Sequence, residues 1–200
     1  LCALLSSIER MDKDSAVYGL RCFMSQPITA LVIMGVAGCG KSSVSQALCQ
    51  LNGATPIEGD AFHPAANIAK MSAGIPLTDE DRAGWLDSLC DELRRAVANG
   101  QRPVLTCSAL KLRYRERLRS SVDGLGFVFL ELTPEVAAAR VADRPGHFMP
   151  KTLIDSQFAA LESPTNESLV LTLNAAQMNV KQLASAARDW WSEQTVMATS

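Results

Sequence analysis

The chain has 200 residues, 48% hydrophobic and 20% charged, with a formal net charge of −2, the size and balance of one globular α/β domain with a proper core. A slightly acidic chain lacks the basic surface that nucleic-acid backbones recruit, and no apolar run approaches the ~20 residues of a membrane-spanning helix. The six cysteines, at 2, 22, 39, 49, 90 and 107, show no C-x-x-C pairing and several lie in apolar patterns, which reads as reduced thiols of a cytoplasmic protein.

Residues 1–27 look foreign to the domain. Leu1 to Leu5 is too short for a signal-peptide core, and Glu9, Asp12 and Asp14 do not suit an organellar transit peptide. The segment reads as a loosely ordered extension before a domain over 28–193, with 194–200 expected to fray. Thr29 to Met34 is a short apolar, partly β-branched run, the pattern of a buried strand. Directly after it, Gly35-Val36-Ala37-Gly38-Cys39-Gly40-Lys41-Ser42 fills every fixed position of the phosphate-binding pattern G-x-x-x-x-G-K-[ST]. The glycines let backbone N–H groups close on phosphate oxygens, Lys41 brings a charge to the β- and γ-phosphates, and the Ser42 hydroxyl is placed for Mg²⁺. Val44, Ala47, Leu48 and Leu51 then recur at helical spacing up to Asn52-Gly53. Strand, glycine loop and helix in this order imply a nucleoside triphosphate site.

Thr55 to Gly59 is a candidate second strand, peripheral because of Pro56. It delivers Asp60 and His63 to the carboxyl end of the sheet, where parallel sheets bind ligands, and a short helix with Asn67, Lys70 and Met71 follows. Thr78-Asp79-Glu80-Asp81 reads as a helix N-cap with an acidic first turn. That helix carries an apolar stripe from Trp85 to Val97, and Arg82 in its first turn is either a ligand contact or the partner of Asp79 or Asp81. Pro103 to Cys107 is the third strand, with Ser108 at its end. The basic run Lys111 to Arg119 is an amphipathic helix on the seam Leu110, Tyr114 and Leu118, and only its first turn can approach a ligand. Phe127 to Leu132 is the fourth strand, and a helix starting at Thr133-Pro134 carries Arg140. Residues 143–150, with two prolines and a glycine beside Arg144, read as a small lid over phosphates. A helix over 152–161, a last strand over 169–173 and a helix over 180–191 complete the pattern. The expectation is a single α/β P-loop kinase domain, a parallel five-stranded sheet with helices on both faces.

The chain contains no N-K-x-D guanine-reading motif, and Cys107 and Glu131 stand where a motor ATPase would carry a strand-end Asp. With the small size and the arginine pair, this favours a small-molecule kinase. The sequence resembles the gluconokinases of the shikimate-kinase-like type. The resemblance rests on Gly35 to Ser42, on Gly59 to Pro64 with Asn67, Lys70 and Met71, on Pro76 to Arg82 with Trp85 and Leu86, and on Cys107 to Lys111 with Tyr114 and Arg115. The Arg144 to Phe148 block and Gln157-Phe158 with Leu161-Glu162 match as well, so the likeness spans roughly 29–175. It implies phosphorylation of D-gluconate by ATP with Mg²⁺, and a homodimer. A site for this substrate needs a cation for its carboxylate, hydrogen-bonding groups and a base near the attacking hydroxyl. Asp60 is the candidate base. Lys41, Mg²⁺ and Arg144 should carry charge neutralisation, with Gly35 to Ser42, Arg140 and Arg144 on the nucleotide. His63, Lys70, Arg82, Ser108, Lys111, Arg115 and His147 are the further substrate-binding candidates. Two alternatives stay open at this stage: another kinase of the shikimate or nucleoside type, and a nucleotide-binding regulator without turnover. Cys39 departs from the family, whose loop usually carries Ser or another small residue there; Lys41 and a helix N-terminus beside it favour thiolate reactivity and hence redox sensitivity, but the preferred reading is an inert small residue.

Overall fold

The computed structural model describes residues 27–143 and 151–197. The expected extension over 1–27, apart from Pro27, and the expected lid over 143–150, apart from Asp143, lie outside them, Arg144 and His147 included. Five strands, β1 (Ala30–Met34), β2 (Thr55–Glu58), β3 (Pro103–Thr106), β4 (Leu125–Glu131) and β5 (Val170–Asn174), form one sheet in the order β2-β3-β1-β4-β5, with every pairing parallel. Seven α-helices appear among the described residues: α1 (Lys41–Asn52), α2 (Ala65–Ser72), α3 (Asp79–Ala98), α4 (Leu112–Arg119), α5 (Pro134–Ala142), α6 (Lys151–Ala160) and α7 (Val180–Met197).

The alternation of β1 builds the two layers. Leu31 and Ile33 face a core shared with Val44 and Leu48 of α1, Ala137 and Val141 of α5, Ile154 of α6, and Leu183 and Trp191 of α7. Ala30, Val32 and Met34 face the other core, closed by Trp85, Leu89 and Leu93 of α3 and by Tyr114 and Leu118 of α4. All five β1 side chains are fully buried, which is why the strand reads as a continuous apolar run. Its neighbours β3 and β4 lie on opposite sides, so the carboxyl end of β1 stands where the strand order reverses. Ligands bind at that point of an open parallel sheet. Pro56 is on β2, an edge strand, and Pro103 is the first residue of β3, both places where a missing N–H is tolerated.

Helix ends follow the chemistry expected of them. Gly53 ends α1 in the left-handed region with its N–H on the Cys49 carbonyl, and α3 opens with a full capping box between Thr78 and Asp81. The last helix corrects the expectation of an early end. It continues past Trp191 to Met197, with the Ser192 and Thr195 hydroxyls turned onto the carbonyls of Arg188 and Trp191, one turn back. Trp191 itself is locked by its indole N–H on the Ile28 carbonyl at 2.8 Å and by the Arg102 guanidinium 4.2 Å above its ring.

Candidate active site

The glycine loop leaves β1 and enters α1 with a backbone no other residue type adopts easily. Gly35 and Gly38 take φ of +138° and +80°. A Cβ at Gly35 would stand 2.8 Å from the Leu130 carbonyl oxygen, and one at Gly38 would stand 3.0 Å from that of Ala137. The loop is therefore seated against the exit of β4 and the face of α5. Its Gly35 N–H donates to the Ser108 carbonyl at 3.3 Å, which ties it to the exit of β3. The Lys41 ammonium arches back to the Gly35 and Val36 carbonyls, 3.1 Å from each. Ser42 lies in the first turn of α1. That turn has no side-chain cap and no acidic residue, whereas α3 has both. Bare first-turn N–H groups at a helix N-terminus form a binding place for phosphate. Cys39 belongs to the loop, 4.0 Å from the Lys41 ammonium, and is buried, so oxidants reach it poorly. The other described cysteines, Cys49, Cys90 and Cys107, are also buried and free, and burial pushes the Cys107 thiol up to about 12.

Beside the loop, the exits of β2 and β3 carry a second group of polar residues. The turn over 59–62 begins with Gly59, where a Cβ would fall 2.1 Å from the Thr106 carbonyl oxygen. This close approach brings Asp60 to the edge of the crevice, exposed and without an ion-pair partner among the described residues. The Trp85 indole N–H holds the turn through the Gly59 carbonyl at 2.8 Å. The same indole stacks on His63, with ring centroids 4.3 Å apart and planes within 13°. Burial pushes the His63 pKa below its ordinary value; the Asp60 charge opposes this and Arg82 reinforces it. The imidazole is thus neutral at pH 7. Its Nδ1 faces the Asn67 amide nitrogen at 3.4 Å, an arrangement that suits the tautomer with the proton on Nε2.

The α2–α3 lobe is knitted over this turn. Lys70 pairs with Asp81 at 2.6 and 2.8 Å, and Asn67 donates to the Asp81 carbonyl at 2.8 Å. Asp79 gathers the Lys111 ammonium at 2.9 and 3.1 Å, the Arg113 guanidinium and the Tyr114 hydroxyl. Those hydrogen bonds, the one from Tyr114 foremost, hold its carboxyl well below the usual range. Arg82 pairs with neither Asp79 nor Asp81. Its Nη1 donates to the Leu77 and Thr78 carbonyls, and the guanidinium lies 5.9 Å from the Tyr114 ring centre. Arg140 donates to the Ala175 carbonyl at 2.7 Å, beyond the end of β5.

Arg115 corrects the sequence reading most. It is 0% exposed and does not face the crevice. Its Nε and Nη2 bond the Glu167 carboxylate at 2.5–3.1 Å, and its Nη1 bonds the Ala109 and Leu110 carbonyls at 2.8 and 3.0 Å. Ala109 sits in the left-handed region at φ +46°, so Arg115 fixes the bend that follows Ser108. Glu167 gave no signal in the sequence, being 52 residues away in a polar turn. Gln157, whose amide oxygen accepts from the Ala37 N–H at 2.7 Å, was marked only by the family resemblance.

A family model described as an AAA domain matches residues 31–164. A gluconokinase of Gluconobacter oxydans is 47% identical over 144 residues, which cover 72% of this chain and 81% of that protein. The chain belongs to the gluconokinase family. Among solved structures, a gluconokinase from Sinorhizobium meliloti 1021 superposes with a TM-score of 0.77 at 41% identity, covering 86% of this chain and 95% of that one. A sugar kinase from Janibacter sp. HTCC2649 does so with a TM-score of 0.78 at 38% identity, covering 87% and 100%. The nucleotide loop and the β2 and β3 exits of this gluconokinase-family chain all lie inside the matched region.

Proposed function

We propose that the protein transfers the γ-phosphoryl group of ATP to the terminal hydroxyl of D-gluconate, giving 6-phospho-D-gluconate. The observation that carries this reading is the meeting of the phosphate loop, through the Gly35–Ser108 hydrogen bond, with the acceptor residues at the β2 and β3 exits. Phosphoryl transfer asks mainly for alignment and neutralised charge. Lys41 and the first-turn N–H groups of α1 are suited to hold the phosphates. Asp60, exposed and unpaired, is suited to orient the hydroxyl and accept its proton, a contribution of about 10²–10⁴-fold. Arg82, with Nε and Nη2 uncommitted among the described residues, is the cation best placed for the gluconate carboxylate. The neutral His63 Nε2–H, Ser108, and the ammonium groups of Lys70 and Lys111 serve the hydroxyl groups, while Arg115 acts by holding their loop. Arg140, Arg144 and His147 keep their proposed places on nucleotide and substrate.

No group of three or more His, Cys, Asp or Glu side chains able to hold a metal occurs among the described residues. Ser42, in the first turn of the helix that opens at Lys41, is the hydroxyl that would hold Mg²⁺, an ion that keeps most of its coordination for substrate phosphates and water. When bound, the ion neutralises charge across the β- and γ-phosphates. The proposal includes a homodimer acting in the cytoplasm; no helix among the described residues is long and apolar enough to cross a membrane. An ADP-release assay over gluconate, other sugar acids, shikimate and nucleosides tests the reading. Gluconate is expected to give the highest kcat/KM by at least tenfold, and a preference for shikimate or a nucleoside would overturn it.

A further inference from the structure

One stretch of chain, from Gln157 in α6 to Glu167, touches both loops of the site. At its start, Gln157 accepts the Ala37 N–H of the phosphate loop at 2.7 Å. Five residues on, the Glu162 N–H donates to the Leu110 carbonyl at 2.8 Å, and its carboxylate accepts the Leu112 N–H at 2.5 Å. At its end, Glu167 grips Arg115, which in turn holds the Ala109 and Leu110 carbonyls. The Ser108 carbonyl returns the path to Gly35 at 3.3 Å. The hydrogen bonds, joined by the short chain from α6 to Glu162, therefore close a circuit: phosphate loop, α6, the loop over 108–111 with the start of α4, and phosphate loop again. The stretch cannot drift freely. Leu153 and Ile154 of α6 are buried, and Phe158 packs against the same core as Val36 and Cys39.

We infer that Gln157 and Glu162 are positioning residues that set the distance between the phosphate loop and the acceptor loop. Neither needs to touch a substrate for this. Glu162 is exposed and Gln157 is half-buried, yet each spends its side chain on a backbone N–H, Gln157 on the phosphate loop and Glu162 on the first residue of α4, directly after the acceptor loop. A backbone N–H fixed by a side chain in a packed helix transmits that helix's position, and an error of about 1 Å between donor and acceptor groups costs on the order of a hundredfold in rate. Ala109, held at φ +46° against its preference, is the point in the circuit that relaxes first when a tie is cut.

The test uses the full chain and two independent measurements, because the kinetic one rests on the gluconate reading above. In hydrogen exchange followed by mass spectrometry, Gln157→Leu removes the acceptor for Ala37 but leaves the Glu162 ties intact. The circuit predicts faster exchange, by about two- to tenfold, in peptides covering 35–42 and also in peptides covering 108–113. Glu162→Ala should produce the same pair of effects from the other side. Exchange that rises only beside the substituted residue overturns the inference, whatever the substrate proves to be. In steady-state assays at saturating ATP and gluconate, Gln157→Leu should lower kcat between about ten- and a hundredfold with little change in thermal midpoint. Gln157→Glu, which keeps an oxygen at the same reach, should recover most of that kcat. Equal losses in the Leu and Glu variants, or a lowered midpoint with kcat intact, would show a merely structural contact. A wild-type enzyme inactive on gluconate refutes the proposed substrate instead, and the exchange experiment still decides the circuit.

Discussion

Replacing Arg115 by Met is the substitution whose outcome the structure determines most sharply. The guanidinium is 0% exposed, and its partner Glu167 is 17% exposed and also receives Arg119 at 2.8 Å. Burial pushes the Glu167 carboxyl up, but the hydrogen bonds from Arg115 and Arg119 outweigh it and leave the group below its ordinary value. Met fills much of the vacated volume and supplies no donors. The Glu167 carboxylate then keeps only Arg119, and the Ala109 and Leu110 carbonyls lose the guanidinium. Removing one member of a buried ion pair costs about 3–5 kcal/mol. For a domain of this size that corresponds to a fall of roughly 6–20 °C in Tm, at about 2–4 °C per kcal/mol. Arg113, exposed on the same helix, provides the comparison: Arg113→Met should lower Tm far less, because solvent screens an exposed pair. Thermal unfolding followed by circular dichroism measures both. Arg115→Lys should recover little, since one ammonium cannot serve a carboxylate and two carbonyls in a planar fork. Arg115→Met/Glu167→Leu should recover part of the loss by removing the unpaired carboxylate. A folded Arg115→Met protein with a near wild-type Tm and a KM for gluconate raised tenfold or more would refute this reasoning and return Arg115 to the substrate.

Asp60→Asn keeps shape and hydrogen bonding but removes the base, so turnover should fall by about 10²–10⁴-fold with ATP affinity near wild type; near-normal turnover in a folded variant excludes the base role. Gly59→Ala places a methyl group 2.1 Å from the Thr106 carbonyl oxygen, which backbone movement must relieve, so a loss of about 1–3 kcal/mol is expected, measured by urea unfolding. His63 has a pKa below its ordinary 6.5 in the folded chain, so between those two values the unfolded chain binds more protons and folding stability rises with pH. Tm should therefore fall as pH drops below about 6.5, and His63→Gln should reduce that dependence; an unchanged pH profile in the variant would place the titration elsewhere.

The alternation of strand and helix was legible because the two signals that write it are local. Buried strands such as Thr29 to Met34 show as apolar runs, and glycines such as Gly53 mark helix ends. The phosphate loop was legible for the same reason, since its eight consecutive residues carry their own geometry. Arg115 was not. It lies at the margin of the Tyr114–Leu118 seam, where helical spacing alone gives either a solvated or a buried arginine, and Glu167, which decides the matter, is 52 residues away. Lys111 and Asp79 are 32 residues apart and show the same limit. For Arg82 the sequence offered carboxylates as partners, but the carbonyls exposed at the start of α3 lie nearer. Pairings between distant polar residues depend on how the layers stack, and no periodicity records that.

The sheet order also has a consequence for the nascent chain. β1 is made before both of its sheet partners, and it does not pair with β2, the strand that follows it. Leu31 waits for Val104, and Ala30 for Leu125. The phosphate loop is seated on Leu130 and Ala137, which leave the ribosome later still. During synthesis, therefore, the residues that fit ATP emerge long before the surface that shapes them, and nucleotide cannot act as a template for the first half of the domain. Chaperone occupancy on ribosome-bound chains should persist until about the end of β4 has emerged, and ATP protection against proteolysis should begin only after that point.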